Sequence, residues 1–165
     1  MEIQIIGFRV GGEFYAINIL SVAQIIHYQQ PTKLAQAPDF VEGIINLRGQ
    51  VIPLVDLRKR YGAEVKFERS NRIIIACIEP VSKKKKAAKA EQAVGLVVDA
   101  VSNVVRTDTE KSLRAPTVLT QSDSAYTGDV HQDADGRLYM LLDPTKILTS
   151  REQRELTQNF ASDAL

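Results

Sequence analysis

The stretch from Pro38 to Gly62 constrains the fold more than any other part of this sequence, because it joins a helix signal, a turn signal and a long apolar run. Proline suits the first turn of a helix, where its missing N–H would lack a partner anyway. The apolar residues between 40 and 45 would share one helical face, so a short helix is predicted to begin at Pro38. Gly43 weakens that helix by about 1 kcal/mol relative to alanine. Either a neighbouring group approaches Gly43 closely, or the fold simply tolerates it.

A turn and a buried strand follow this predicted helix. Asn46 can hydrogen-bond its own backbone and Gly49 can adopt positive φ, so the chain is predicted to turn over residues 46–49. The run from Val51 to Leu57 is almost continuously apolar, which predicts a strand buried on both faces. Pro53 cannot donate a backbone hydrogen bond, and it therefore favours an edge strand or a bulge.

Short apolar runs rich in β-branched residues fill much of the remaining chain. Strands are predicted over residues 3–9, 13–18, 22–27, 71–78, 93–98, 101–107, 127–132 and 138–142. The pairs Gly11-Gly12 and Asp135-Gly136 are typical of the tight turns of hairpins. Many short strands with only brief helices predict an all-β fold built of small barrels.

The C-terminal segment is predicted to be helical and only loosely attached. Pro144 can begin a short helix that runs to Leu148. Ser150 resembles an N-cap for a second helix from Arg151 to Phe160, with Gln153 as its capping-box partner. That helix carries few apolar residues, so residues 151–165 are predicted to form a weakly docked or frayed tail.

Length and composition indicate an ordinary globular protein. With 165 residues the chain is expected to form one domain with a substantial core. Its 21 basic and 20 acidic side chains almost cancel, which excludes polyanion binding by the molecule as a whole. Cys77 lies in an apolar run and is predicted to be a buried thiol. No leader and no apolar run near the ~20 residues of a membrane helix is present, so a cytoplasmic location is expected.

The sequence offers no catalytic or metal-binding pattern. His27 and His131 stand in unrelated segments, and no serine or cysteine lies in a nucleophile elbow. Asp133 and Asp135 imitate the start of a calcium loop, but the twelfth position of such a loop is Pro144 and not a glutamate. We therefore predict no enzyme activity, no cofactor and no metal.

A lysine-rich segment, Lys83–Lys86 with Lys89, opens one alternative function. Its charge could attract nucleic acid phosphates or an anionic lipid surface. The segment contains no aromatic residue on which bases could stack, and the whole chain has no tryptophan. A solvated loop tip is therefore favoured over a nucleic-acid-binding barrel.

The central stretch resembles the signature of the CheW family, the coupling proteins that link chemoreceptors to the histidine kinase CheA in bacterial chemotaxis signal transduction. The residues that carry this resemblance are Pro38, Phe40, Gly43, the turn at 46–49, Pro53 and the run at 55–58. Further similar residues are Gly95–Asp99 with Val101 and Val104, and Phe14, Ile17 and Val22 in the opening hairpin. A CheW-like domain over residues 1–150 is therefore expected.

The resemblance implies both a fold and a function. The fold would be two small five-stranded SH3-like lobes that share an apolar seam. The protein would be a non-catalytic adaptor whose partners are the cytoplasmic tip of chemoreceptors and the regulatory domain of CheA. It would meet the membrane only through those receptors. A coupling protein of a sister pathway, such as twitching motility or development, would have the same fold and a different receptor.

The resemblance also implies two sets of binding residues. The receptor-binding set is Val22, Gln24, Gly43, Arg48, Val101 and Val104. The kinase-binding set is Phe40, Arg48 and Asp56. Relatives commonly carry a glutamate where this chain has Gln24, so its hydrogen bond to Arg48 would have less Coulomb attraction. Asp56 has a second interpretation, as a strand-end acid paired with Arg58 or Lys59.

Overall fold

The computed structural model describes residues 1–78, 93–114 and 126–147, and these residues form a nearly all-β structure. The strands are β1 (Glu2–Val10), β2 (Glu13–Asn18), β3 (Val22–His27), β4 (Val41–Leu47), β5 (Gln50–Asp56), β6 (Arg72–Cys77), β7 (Ala93–Val98), β8 (Ala100–Asp108), β9 (Leu113–Arg114), β10 (Tyr126–Gln132) and β11 (Leu138–Leu142). One short helix, α1 (Leu57–Arg60), follows β5, and single 3-10 turns occupy Ile19–Ser21, Thr109–Lys111 and Pro144–Lys146. Within these ranges no helix is long and apolar enough to cross a membrane.

The strands form two sheets, and each sheet belongs to one lobe. Lobe A is a six-stranded sheet in the order β8-β1-β2-β11-β10-β9, so both ends of the described chain contribute to it. Lobe B is a five-stranded sheet in the order β3-β6-β7-β5-β4. The predicted all-β fold of two small lobes is confirmed, and lobe A has one short strand, β9, beyond the five expected.

The predicted helix at Pro38 is wrong, because residues 41–47 form strand β4. Val41, Gly43 and Ile45 are buried while Glu42 and Ile44 are half-buried, which is the two-residue alternation of a strand. Gly43 has a φ of +139°, and β4 pairs with β5 along its length. Backbone pairing with β5, which the spacing of apolar residues does not encode, therefore overrides the helical spacing.

The predicted turn at 46–49 is confirmed as the tip of the β4–β5 hairpin. Leu47 pairs with Gln50, and the two residues between them, Arg48 and Gly49, have φ values of +53° and +83°. Positive φ at both positions is the type I′ geometry that fits the twist of a hairpin. The Asn46 side chain accepts a 2.8 Å hydrogen bond from the Gly49 N–H.

Pro53 lies in an internal strand and not at a sheet edge. Strand β5 pairs with β4 on one side and with β7 on the other. The pairing with β7 begins only at Leu54, so Pro53 lies just outside the part of β5 that has two neighbours. A bulge in the partner strand occurs nearby, between Val41 and Gly43. The proline is therefore accommodated without a lost ladder bond to β7.

Lobe B is closed by a bridge between its two edges. The loop after β3 reaches back to β4, where Thr32 and Ile44 exchange two backbone hydrogen bonds of 2.9 Å. A Cβ atom at Gly43 would overlap the carbonyl group of Thr32. The close approach that the sequence suggested for Gly43 is thereby confirmed, and the closing backbone is the group that approaches it.

The apolar core of the described residues divides into a shared seam and one small core in each lobe. The seam core lies between the sheets and takes Phe8 and Tyr15 from lobe A and Ile74 and Leu96 from lobe B. The core of lobe B and the core of lobe A are separate from it. Ile73, next to Ile74 on β6, belongs to the core of lobe B, so successive side chains face different cores. Because both faces of strands such as β6 are buried, their sequences are nearly continuous apolar runs.

Most of the remaining sequence predictions are confirmed. The hairpin at Gly11-Gly12 and the turn at Asp133–Gly136 are present, and strand β7 begins and ends at the predicted residues. Cys77 was predicted to be buried, but it is only half-buried, and that partial burial raises the pKa of its thiol. The lysine-rich segment and the predicted tail helix lie outside the described residues.

A buried histidine joins the two sides of lobe A. His131 on β10 is 1% exposed and stands opposite Tyr139. Its Nδ1 shares a 3.2 Å hydrogen bond with the Thr107 hydroxyl on β8. Its Nε2 is buried and has no partner among the described residues. Burial lowers the pKa of His131, and the nearby charge of Asp129 only partly opposes that effect.

We expect acid to destabilise lobe A through His131. The pKa of the imidazole is lower in the folded state than its unfolded value of about 6.5, so the unfolded chain binds the proton more tightly. Stability is therefore lost as the pH falls from above 6.5 through the lower folded pKa. Urea unfolding between pH 8 and pH 5.5 should show a smaller loss for His131→Gln than for the wild type. The exposed His27 supplies the control, and an equal loss in His131→Gln and His27→Gln would contradict the assignment.

Candidate functional site

Strand β3 is an edge strand of lobe B, and part of it lies against the seam core. Val22 pairs with Ala76, and Ile25 pairs with Ile74, so both side chains lie on the face of lobe B that covers the seam core. A register shift between Val22 and Gln24 places an extra residue, Ala23, in the strand. Val22 packs against the seam core, while Ile25 is 38% exposed.

Strand β8 is an edge strand of lobe A, and part of it also lies against the seam core. Val101 pairs with Phe8 and Val104 pairs with Ile6, and both of these partners belong to the seam core. A second register shift lies between the two pairs, opposite Gly7. Val101 packs against the seam core, whereas Val104 is 52% exposed.

We call Val22, Ile25, Val101 and Val104 the apolar rim. Each lies on a sheet face that covers the seam core, and two of them present large apolar side chains to solvent. Three of the four belong to the receptor-binding set that the resemblance implied, and Ile25 does not. Strict alternation from Val22 places Ile25 on the opposite face, and only the bulge at Ala23 returns it to the seam side.

Two other predicted receptor residues do not join the apolar rim. Gln24 pairs with Ile75, which belongs to the core of lobe B, so its side chain lies on the inner face of β3. Gly43 is buried where lobe B closes. The structure therefore gives Gly43 a role in the fold that needs no partner protein.

Arg48 lies at the exposed tip of the β4–β5 hairpin. In the part of the chain that the structure describes, its side chain has no hydrogen-bond or ion-pair partner, and Gln24 does not contact it. The type I′ turn holds its backbone in a defined conformation. An exposed, partnerless guanidinium on a rigid turn can form a bidentate pair with a carboxylate of another protein.

Phe40 belongs to a second surface, beside helix α1. Its ring is half-buried and lies 4.4 Å from the guanidinium carbon of Arg60. On the same helix Lys59 forms a 2.5 Å ion pair with Glu42, and that carboxylate raises the pKa of Lys59. We call Phe40, Glu42, Lys59 and Arg60 the α1 face. It combines an aromatic ring with paired charges.

Asp56 is not on that surface. It is 2% exposed, and its Oδ1 and Oδ2 each accept a 3.0 Å hydrogen bond, from Nε and Nη2 of Arg58 respectively. Its Oδ1 also accepts a bond from the Arg58 N–H, which makes Asp56 the N-cap of α1. The structure thus corrects its assignment to a kinase-contacting surface. Its alternative interpretation, a strand-end acid paired with Arg58, is the arrangement observed.

Arg58 is the centre of a buried polar cluster, of which the sequence indicated only the possible Asp56–Arg58 pair. Its side chain is 0% exposed, and besides Asp56 it donates to the Lys66 carbonyl, Asn71 Oδ1 and Asp99 Oδ1 at 2.6, 3.3 and 3.3 Å. Burial alone lowers the pKa of Arg58, but the hydrogen bonds and charges of Asp56 and then Asp99 outweigh it and raise the pKa. We call Asp56, Arg58, Asn71 and Asp99 the Arg58 cluster.

Comparison with known proteins decides the family. A family model for the CheW-like domain matches residues 4–152. The chain belongs to the CheW family. The chemotaxis protein CheW of Klebsiella aerogenes is 32% identical over 155 residues, which cover 93% of this chain and 86% of the relative. That of Bacillus subtilis is 30% identical over 161 residues, which cover 97% and 93%.

A solved structure confirms the fold of this CheW-family chain. The crystal structure of scaffolding protein TtCheW from Thermoanaerobacter tengcongensis superposes with a TM-score of 0.72 at 32% identity. The match covers 87% of this chain and 90% of that one. Together these findings confirm the resemblance to the CheW family and favour a chemotaxis adaptor over a nucleic-acid-binding barrel.

Proposed function

We propose that this CheW-family protein holds a chemoreceptor at its apolar rim and the regulatory domain of CheA at its α1 face. The observation that carries the proposal is the exposure of Val104 beside a closed core. A valine that is 52% exposed on the same sheet face as a continuous seam core can extend that core into a bound partner. The adaptor acts by binding alone, in the cytoplasm and at receptor arrays.

Arg48 supplies charge to this binding. Gln24 gives it no ion pair, so the guanidinium is available to a carboxylate on the receptor tip or on the kinase. Such a contact at the edge of an interface contributes mainly to partner selection and association rate.

The kinase side of the proposal rests on the α1 face. Phe40 offers an aromatic anchor, a residue type that is enriched at interface hot spots. Asp56 acts indirectly. Its N–H donates a 2.8 Å hydrogen bond to the Phe40 carbonyl and so helps to hold Phe40 in place. We therefore place Phe40 and Arg48 in contact with the kinase, and Asp56 behind them.

The receptor half of the proposal predicts the effect of a charge in the apolar rim. Val104→Lys should weaken binding of a receptor-tip fragment at least about tenfold, because docking would desolvate an unpaired ammonium. Isothermal titration calorimetry against the receptor fragment, and separately against the CheA regulatory domain, measures both affinities. The affinity for the kinase domain should not change.

Leu138→Lys is the matched control, since Leu138 is 51% exposed on β11 and lies outside the apolar rim. Val104 and Leu138 are both exposed enough that replacing either by lysine should leave the free energy of unfolding almost unchanged. Receptor binding that survives in Val104→Lys, or that is lost equally in Leu138→Lys, would contradict the assignment of the rim.

A further inference from the structure

The Arg58 cluster connects the two lobes and is not confined to one of them. Arg58 belongs to α1 in lobe B, while Asp99 lies between β7 of lobe B and β8 of lobe A. Asp99 Oδ2 accepts a 2.6 Å hydrogen bond from the Gly11 N–H, in the β1–β2 turn of lobe A. Its own N–H donates to the Arg9 carbonyl at 3.0 Å. One buried guanidinium thus links elements on both sides of the seam.

Each end of the cluster reaches one of the two proposed binding surfaces. At one end the Asp56 N–H holds the carbonyl of Phe40, which belongs to the α1 face. At the other end Asp99 directly precedes β8, the strand that carries Val101 and Val104 of the apolar rim. A continuous series of hydrogen bonds and one short backbone segment therefore joins the α1 face to the apolar rim.

The Arg58 cluster contributes more to the fixed geometry of its partners than to the free energy of unfolding. Buried ion pairs gain little net stability relative to well-packed apolar residues of similar size, because desolvation offsets their attraction. A planar guanidinium does, however, fix the direction of each partner, and Asp56 receives two parallel bonds from it. Asn71 locks the arrangement further, since its Nδ2 donates to the Asp99 carbonyl at 3.2 Å.

We propose that the Arg58 cluster couples the two binding surfaces, so that a partner at the apolar rim changes the affinity of the α1 face for its own partner. The proposal rests on the proposed function. Coupling requires that each partner favours one arrangement of the shared element. The shared element is the hydrogen-bonded path from Phe40 through Asp56, Arg58 and Asp99 to β8.

The test is a coupling factor, defined as the ratio of the Kd of the CheA regulatory domain without and with saturating receptor-tip fragment. We expect this factor to differ from 1 by at least about fivefold in the wild type. Asp99→Asn should bring it to within about twofold of 1, because the amide removes the charge that faces Arg58 and turns one acceptor into a donor. The affinity for each partner alone should change much less than the coupling factor.

Asp135→Asn is the matched control, because Asp135 is exposed in the turn before β11 and does not contact the cluster. Asn71→Ala is a second variant if Asp99→Asn does not fold, since Asn71 joins Arg58 to the Asp99 backbone. It should likewise bring the coupling factor closer to 1. Circular dichroism at the titration temperature confirms that each variant is folded.

The outcomes separate the coupling proposal from the proposed function. A wild-type factor of 1 with both partners bound would overturn the coupling and leave the adaptor assignment intact. Equal weakening of both affinities in Asp99→Asn with an unchanged factor would reduce the cluster to a structural role and overturn the proposal. Failure of the wild type to bind either partner would overturn the proposed function itself, and the coupling with it.

Discussion

Replacement of Arg58 by methionine should lower the free energy of unfolding by about 3–5 kcal/mol, one of the largest effects expected of any substitution in this chain. The variant leaves Asp56 and Asp99, which are 2% and 8% exposed, without the cation that compensates their charges. It also leaves the Lys66 carbonyl without its donor. Methionine reproduces the aliphatic part of the arginine side chain, so the loss comes mainly from the missing guanidinium charge and its hydrogen bonds.

Urea unfolding followed by circular dichroism at pH 7 measures this loss. Arg69→Met is the control, because Arg69 is exposed and its side chain joins no cluster, and its effect should lie within about 0.5 kcal/mol. Adding Asp99→Asn to Arg58→Met should recover part of the stability, since one of the two stranded charges is then removed. A loss below about 1 kcal/mol in Arg58→Met would show that the carboxylates do not depend on the guanidinium.

The second large effect is expected at Gly43. Gly43→Ala should lower the free energy of unfolding by at least about 3 kcal/mol, because two costs combine. A φ of +139° is strained for any residue with a Cβ atom, and the new methyl group would overlap the Thr32 carbonyl that closes lobe B. Relief of the overlap requires the bridge between Thr32 and Ile44 to open.

Gly49→Ala separates these two costs. Gly49 also has positive φ, +83°, but a Cβ atom there would meet no other atom within 4 Å. Its substitution should cost only about 1 kcal/mol. Amide hydrogen exchange adds a local measurement, since protection of the Thr32 and Ile44 amides should fall in Gly43→Ala and persist in Gly49→Ala. Equal stability of the two alanine variants would contradict the closure of lobe B at this point.

The sequence predicted those elements whose signals are local. Gly11-Gly12 and Asp135-Gly136 mark their hairpins by themselves, because turn geometry depends on adjacent residues. The apolar run from Val51 to Leu57 indicated burial on both faces, and Ile52, Leu54 and Val55 are buried, whereas Val51 is 52% exposed and Leu57 begins helix α1. Strand β4 was mistaken for a helix because the spacing of its apolar residues does not register the backbone pairing with β5 and with Thr32 that keeps it extended.

The site was only partly predictable for similar reasons. A bulge at Ala23 decides which β3 residues face the seam, and nothing in the sequence around Ala23 marks that bulge. Asp56 and Arg58 lie close enough in sequence for their pairing to be anticipated. Their link to Asp99 spans two lobes and becomes visible only in the folded chain.

Sedimentation velocity with three components tests the central claim of an adaptor most directly. The wild-type chain is mixed with a receptor-tip fragment and the CheA regulatory domain, and the two partners carry labels that absorb at different wavelengths. For an adaptor, both labels should sediment together with the chain in one boundary, and Val104→Lys should remove only the receptor label from it. Displacement of one partner by the other, or the absence of any shared boundary at concentrations above both Kd values, would contradict the account.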